Sequence, residues 1–308
     1  MKNSLKALLL LCLPQISLAA AVEKIKPEFA AVAEDSAALQ VVASGLQFTE
    51  GPVWIGSREG RPGYLLFSDI PANTIYRWAP GEELSVWRKP SGNSNGLLLD
   101  SQGRLLACEH GGRRVSLSVS KDSAVTLCDH YKGLRLSSPN DIALSSDGSL
   151  WFTDPPYGLV NEKPEQPANY VYRLAPGKSE PSAVVGDFNM PNGIVFSPGK
   201  KLLYISDSGK PHHIRKFKVA GDSLVSAGIF AVISPGGPDG MCIDTRGRLF
   251  TSAGDGIQVF SPEGVLIGKI LTQEQPTNCC FGGDDWQTLF ITARSAVYAI
   301  HLKVQGLP

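Results

Sequence analysis

After residue 45 the hydrophobic positions fall in short runs and not at helical spacing. Typical runs are Leu65-Leu66-Phe67, Leu150-Trp151-Phe152 and Leu202-Leu203-Tyr204-Ile205, separated by Asp-Gly, Gln-Gly or Arg-Gly pairs. Short apolar runs bounded by such turn residues indicate β-hairpins. The 32 Gly and 22 Pro also argue against a helical bundle. The chain is therefore predicted to be all-β.

The runs belong to an internal repeat of six units. Each unit begins with a polar residue before an apolar strand, and successive units start 39 to 52 residues apart. These residues, called the start column below, are Glu50, Asn95, Asn140, Asn192, Asp239 and Asn278. Strand meanders repeating every 40 to 50 residues or so are typical of β-propellers. We therefore predict a six-bladed β-propeller with four antiparallel strands per blade, closed by a strand around residues 39–43.

A second set of residues recurs at the end of the next strand in each unit. This end column comprises Asp69, Glu109, Asp154, Asp207, Ala253 and Ala293, and in the middle four units it follows the start column by 14 or 15 residues. An antiparallel hairpin of that length brings its two ends to one edge of the sheet. Both columns are therefore predicted to ring one mouth of the central channel. Turn chemistry explains any single Asn-Gly or Asp-Gly pair equally well, but six aligned polar residues favour a site.

Oxygen donors dominate the start column. Glu50 and Asp239 would bring two negative charges to the mouth, and Asn140 and Asn192 would add amide oxygens. Such donors suit a hard divalent cation such as calcium or magnesium, and they make zinc an unusual choice. The whole chain has 29 Lys+Arg and 29 Asp+Glu. This balance argues against nucleic acid or an anionic membrane surface as a partner.

Seven motifs resemble one known family in content and in order. They are FTEGPVW, FSDIPANTIYRW, SGNSNGLLLD, CEHGGRRV, SPNDIALSSDGSLWFTDPPYG, PNGIVFSP and PDGMCIDTRGRL. From about residue 45 to the C-terminus the chain resembles the SMP-30/gluconolactonase/LRE-like family. The resemblance implies a six-bladed propeller with one divalent metal at the channel mouth, and an enzyme that hydrolyses sugar lactones or related esters.

The resemblance also implies roles for individual residues. The family's metal ligands fall on Glu50, Asn192 and Asp239, and Asn140 matches a position that contacts the metal or the substrate. The implied cofactor is one divalent cation, with calcium as first choice and magnesium, manganese or zinc as alternatives. The implied partner is a small lactone. Another metal-dependent esterase or phosphotriesterase, or a non-enzymatic binding propeller with a structural cation, are the competing hypotheses.

Hydrolysis of a lactone needs a base for the attacking water. Asp239 is the first candidate because a carboxylate beside a cation can orient and deprotonate water, although it could be a ligand only. Asp154 and Asp207 are alternative bases or anchors. His110 follows the end column directly and is a candidate proton shuttle or hydrogen-bonding group for the substrate, with a rim histidine bonded to backbone as the alternative.

Further residues are predicted to contact the substrate. Asn95 should present its amide, Asp207 should lie at the mouth, and Arg113 is a candidate partner for an anionic group or else an ordinary turn residue. The long loop over residues 155–169 is predicted to lie on the same face as a lid or substrate wall, with an unstructured surface loop as the alternative.

The N-terminus resembles a secretory signal peptide over residues 1–21. Lys2 and Lys6 precede an apolar run that is too short for a membrane span, and small residues follow it; a helix docked on the domain is the alternative. We thus expect a secreted or periplasmic protein with an exposed extension over residues 22–40 and one propeller over residues 41–308. Five cysteines would remain, enough for one or two disulfides in an oxidising compartment, with Cys242 expected to be a buried free thiol.

Overall fold

The structure, a computed structural model, describes residues 21–307. The predicted signal peptide therefore lies almost entirely outside the described residues. The described chain begins with a strand, a short 3-10 helix and a second strand: β1 (Val22–Lys24), Pro27–Ala31 and β2 (Gln40–Ala43).

Six antiparallel sheets follow, and their first strands contact one another in a closed ring. The strands of blade 1 are β3 (Thr49–Ile55), β4 (Tyr64–Asp69), β5 (Thr74–Trp78) and β6 (Ser85–Arg88). Those of blade 2 are β7 (Ser94–Leu99), β8 (Leu105–Glu109), β9 (Arg114–Ser120) and β10 (Ser123–Cys128). A two-stranded ladder separates blades 2 and 3 and consists of β11 (His130–Tyr131) and β12 (Leu134–Arg135).

The remaining blades repeat this pattern. The strands of blade 3 are β13 (Ile142–Leu144), β14 (Leu150–Asp154), β15 (Tyr170–Leu174) and β16 (Ser182–Val185). Those of blade 4 are β17 (Pro191–Phe196), β18 (Leu202–Asp207), β19 (His213–Ala220) and β20 (Ser223–Val232). Those of blade 5 are β21 (Met241–Ile243), β22 (Leu249–Ala253), β23 (Gly256–Phe260) and β24 (Leu266–Leu271). Those of blade 6 are β25 (Asn278–Gly282), β26 (Thr288–Ala293) and β27 (Ala296–His301), with β2 as the fourth strand.

The predicted six-bladed propeller is thus confirmed, including its closure by β2. Gln40 pairs with Ala299 and Val41 with Tyr298 across an antiparallel ladder. This pairing joins the start of the propeller to its last blade and covers the edge that β27 would otherwise expose.

The second strand of each blade is buried on both faces, which explains its uninterrupted apolar run. In β4, Leu65 and Phe67 pack toward blade 6 with Val297, whereas Leu66 packs toward blade 2 with Leu105. Successive strand residues point to opposite faces. Both faces therefore require apolar side chains, and the alternation of polar and apolar residues disappears.

The segment over residues 22–40 differs from the expected exposed extension. Its first strand, β1, pairs with β24 as a fifth strand of blade 5. Phe29 is fully buried against Gly268, and Val32 and Leu39 are also buried in the core between blades 5 and 6. These few apolar residues lie among charged ones without a regular period, so the sequence pattern did not reveal that the segment is packed.

No helix among residues 21–307 has the length and apolar character that crossing a bilayer would require.

Candidate functional site

One mouth of the channel holds a cavity of about 290 Å³. Five of the six start-column residues line it, together with apolar and hydroxyl side chains from the surrounding loops. The lining consists of Phe48, Glu50, Ile70, Pro71, Asn95, His110, Asn140, Tyr157, Asn192, Ser208 and Asp239. The structure therefore brings together all four predicted metal ligands and both predicted catalytic residues.

Irregular first strands position these side chains. The ladder between the first and second strands shifts register between Glu50 and Val53, and again after Ser94 and after Pro191. Such bulges bend the strand and re-aim side chains next to functional sites. The start-column residues of blades 1, 2 and 4 lie in these bulged stretches.

The glycine after the start-column residue has a purpose other than turning the chain. A Cβ on Gly51 would lie 1.9 Å from the carbonyl oxygen of Asn95, and one on Gly193 would lie 2.4 Å from that of Asp239. Each glycine therefore allows the first strands of adjacent blades to approach closely. The glycines that follow Asn95, Asn192 and Asp239 in the start column are therefore packing features of the ring, unlike the Asp147-Gly148 pair, which forms a turn between strands.

Three carboxylates converge beneath the cavity. Burial and the charges of Asp239 and Asp141 raise the pKa of Glu50 well above its ordinary value. Burial, and then the charge of Asp141, raises the pKa of Asp239 to about 7, and burial raises that of Asp141 to about 6. None of the described lysine or arginine side chains lines the cavity. The carboxylates consequently lack a cationic partner from the protein.

The hydrogen bonds of Glu50 fix its orientation. Its Oε2 accepts from the Gly51 N–H at 2.7 Å and from Asn278 Nδ2 at 3.0 Å. Asn278, the sixth start-column residue, thus supports Glu50 from behind and does not line the cavity. Across the cavity, Asn192 Nδ2 donates to Ser208 Oγ at 2.9 Å. Its amide oxygen is thereby left free to accept or to coordinate.

Asp141 is the residue that the sequence interpretation missed. Its carboxylate accepts the N–H groups of Ile142 at 2.9 Å and Ile194 at 3.3 Å. In four of the other five units the equivalent position is glycine. A charged residue at the place of a packing glycine was the signal that could have revealed it.

His110 lies where predicted, inside the cavity and nearly inaccessible. Its Nε2 is 3.3 Å from Asn95 Nδ2, and burial lowers the pKa of His110 to about 4. The imidazole is therefore neutral near pH 7, and Nε2 can accept the amide proton of Asn95. Asn95 and His110 form a pair of neutral hydrogen-bonding groups on one wall.

Asp207 has a different position from the one predicted. Its carboxylate accepts the N–H groups of Asn189 at 2.9 Å and Met190 at 2.8 Å, outside the cavity lining. Asp69 and Asp154 hold the loops that enter blades 1 and 3 in the same way. Asp69, Asp154 and Asp207 thus anchor the loops that lead into the first strands of blades 1, 3 and 4.

Arg113 also lies outside the cavity lining. Its guanidinium donates to the Leu136 carbonyl oxygen at 2.8 Å and pairs with Glu162 at 2.9 Å and Glu165 at 3.1 Å. Both glutamates belong to the loop over residues 155–169. Arg113 therefore fastens this loop to the propeller instead of presenting a positive charge to a ligand.

The fastened loop supplies one wall of the cavity. Tyr157 lines the cavity beside Ser208 and Asn192. A Cβ on Gly158 would lie 2.6 Å from the His110 Cβ, so the loop backbone lies directly on the histidine. Gln166 donates to the Tyr131 and Leu134 carbonyl oxygens, which secures the loop at its other end.

A model of the SMP-30/gluconolactonase/LRE-like region matches residues 48–295. The chain belongs to this family. A gluconolactonase from Zymomonas mobilis is 35% identical over 92% of this chain and 87% of its own length. A solved gluconolactonase structure from Xanthomonas campestris is 32% identical, covers 94% of this chain and 99% of that one, and superposes with a TM-score of 0.86. A calcium-binding regucalcin from Agrobacterium tumefaciens shares the fold at 19% identity, with a TM-score of 0.71 over 87% of this chain and 94% of that one.

Proposed function

We propose that this family member hydrolyses a sugar lactone in the cavity at the channel mouth and that it uses a divalent cation, calcium first, to do so. The strongest support is that buried carboxylates meet at a cavity that no described lysine or arginine side chain lines. The similarity to gluconolactonases from two bacteria supports the substrate class.

The donor set fits a divalent cation. With a cation bound, Glu50 and Asp239 would carry two negative charges; in its absence burial raises the pKa of each. A bound cation would offset the free-energy cost of burying the ionised carboxylates. Within the described residues no three His, Cys, Asp or Glu side chains form a metal site by themselves. The amide oxygens of Asn192 and Asn140 would therefore complete the ligand set, as calcium and magnesium sites allow.

Asp239 would act on the attacking water, and the uncharged residues of the cavity would bind the substrate. When bound, the cation would supply Lewis-acid polarisation of the lactone carbonyl. Asp239 would orient a water molecule and accept its proton as the water attacks the carbonyl carbon. Asn95, His110 and Tyr157 would hydrogen-bond the sugar hydroxyls, and opening the ring ester would give the hydroxy acid.

Replacement of Asp239 tests this proposal. We expect Asp239→Asn to lower the kcat/KM for glucono-1,5-lactone by about 10²-fold or more, because both a ligand charge and a base are removed. Asp222→Asn, the same change at an exposed turn, is the matched control and should keep full activity. The assay follows the release of acid from glucono-1,5-lactone and a short panel of γ-lactones.

Two outcomes would contradict the proposal. Full turnover and full cation affinity in Asp239→Asn would remove this residue from the site. A wild-type protein that hydrolyses no lactone and no simple ester, yet binds the cation, would instead support the non-enzymatic binding propeller.

We also propose that the protein is exported, on the basis of the signal-peptide pattern over residues 1–21. The test is N-terminal sequencing of the protein recovered from the periplasm or medium of an expressing bacterium. A processed N-terminus near residue 21 is expected, and an intact chain confined to the cytoplasm would contradict export.

A further inference from the structure

Two cysteines from adjacent blades are in contact on the channel side of the ring. Cys242 lies in β21 of blade 5, and Cys279 lies in β25 of blade 6. Their Sγ atoms are 3.3 Å apart, although 37 positions separate the residues in the sequence. Both strands are first strands that pack side by side in the ring. Two thiols held this close need only a small adjustment to reach bonding distance.

The pair also adjoins a second cavity. This cavity, of about 300 Å³, lies further along the channel from the proposed active site and is lined mainly by apolar residues of the first strands. Cys242, Cys279 and Cys280 all line this cavity; Cys242 and Cys280 are half-buried, whereas Cys279 is 3% exposed. A small oxidant in this part of the channel could therefore reach Cys242 before Cys279.

The neighbouring cysteine is turned the other way. Cys280 packs with Trp54 and Phe290 in the core between blades 6 and 1, whereas Cys279 belongs to the core between blades 5 and 6. Successive residues of a strand point to opposite faces. Cys280 also borders the second cavity, but it is the sulfur of Cys279 that lies in contact with the sulfur of Cys242.

We propose that Cys242 and Cys279 form a disulfide bond that links blades 5 and 6. The oxidant is a small-molecule disulfide such as oxidised glutathione. The Cys242 sulfur attacks it and releases one glutathione thiol; the Cys279 sulfur then attacks the mixed disulfide and releases the second. The protein pair loses two electrons and two protons, and two molecules of reduced glutathione carry them away.

The timing of this reaction follows from the burial of the pair. Burial and the adjacent Cys279 thiol raise the pKa of Cys242 well above its ordinary value. Because the thiolate is the attacking species, exchange in the folded protein is slow at neutral pH. The bond should therefore form mainly while the chain folds, and it should accumulate slowly in the native protein at a pH above the ordinary thiol pKa of about 8.5.

The bond would lie close to the proposed active site and would restrain the ring. Cys242 follows Asp239 by three residues, and Cys279 follows Asn278, which supports Glu50. The expected structural effect is a higher melting temperature, because a cross-link restricts the unfolded chain.

Peptide mapping under non-reducing conditions tests the proposal. The full chain is refolded with a mixture of oxidised and reduced glutathione, and a second sample of native protein is incubated with oxidised glutathione at alkaline pH. We expect trypsin to release peptides 219–246 and 270–294 as one disulfide-linked species in both samples. Reduction should lower the melting temperature of the linked protein by about 5–10 °C.

Three variants identify the sulfur atoms. Cys280→Ser should keep the linked peptides and the sensitivity to reductant, whereas Cys242→Ser and Cys279→Ser should lose both. Comparing each variant with and without reductant separates the bond from any general loss of stability. Absence of the linked peptides from both wild-type samples, or a link that is lost in Cys280→Ser but kept in Cys279→Ser, would overturn the proposal.

Discussion

At the level of single residues, the three buried carboxylates differ in their hydrogen bonds and in their access to the cavity. They are Glu50, Asp141 and Asp239. Glu50 and Asp239 both line the cavity, but two hydrogen bonds hold Glu50 in place, and Asp141, which accepts two backbone N–H groups, lies outside the cavity lining. Asp239 is therefore the carboxylate best placed to exchange a proton with water. Asp141, which is held by backbone, is suited to a fixed charge beneath the site.

His110 allows a prediction about pH. Burial lowers the pKa of the folded-state imidazole to about 4, below the ordinary value of 6.5. Its stabilising contribution is therefore complete above pH 6.5 and is lost as the pH falls toward 4. We expect wild type to lose about 1–2 kcal/mol more than His110→Gln between pH 7 and pH 5. Urea unfolding of both proteins at the two pH values measures this difference.

Two results would contradict this prediction about His110. Equal acid sensitivity in wild type and His110→Gln would show that the imidazole is not held in its neutral form. A variant more sensitive to acid than wild type would show that the histidine is charged in the folded protein.

The start column could be predicted from the sequence because each member recurs at a fixed place in the repeat. Asp207 and Arg113 could not be placed the same way. Hairpin ends share an edge of the sheet, but spacing alone does not decide whether a side chain turns to the channel or to the adjacent loop. At this edge Asp207 turns to backbone N–H groups and Arg113 to Glu162.

At the scale of elements, the loop over residues 155–169 depends on Arg113. We expect Arg113→Gln to raise the KM for the lactone several-fold with little change in kcat, because the loop that carries Tyr157 would be released. A glutamate-specific endoproteinase should also cleave after Glu162, which is exposed in this loop, faster than in wild type. Steady-state kinetics and limited proteolysis measure the two effects.

The matched control is Arg215→Gln, which breaks an ion pair with Asp187 on blade 4. It should change neither KM nor cleavage after Glu162. Unchanged values in Arg113→Gln as well would show that the other contacts of the loop suffice to hold it.

The N-terminal segment is a second element with a testable role. Phe29 is fully buried against blade 5, so Phe29→Ala should lower the free energy of unfolding by about 3–5 kcal/mol. Ile25→Ala, at a 38% exposed position, should cost less than about 1 kcal/mol. Denaturant unfolding of both variants gives the comparison. A loss below about 1 kcal/mol in Phe29→Ala would show that the segment contributes little to the fold.

For the whole molecule, the architecture was readable because a propeller repeats one unit six times. The number of blades and the closing strand followed from that repeat. The packing of residues 22–40 did not, because it uses isolated apolar residues that belong to no unit. Asp141 was also not predicted, because it stands where most other units have glycine. The role of such an exception can be recognised only once the positions around the channel are known.

The central claim is that lactone hydrolysis at this mouth depends on a divalent cation. The most direct test is hydrolysis of glucono-1,5-lactone before chelation, after complete chelation and after calcium, magnesium, manganese or zinc is added back singly. We predict that turnover falls to the uncatalysed rate after chelation and returns with at least one cation in wild type but with none in Glu50→Gln. Full turnover by protein shown to be free of metal would contradict the account.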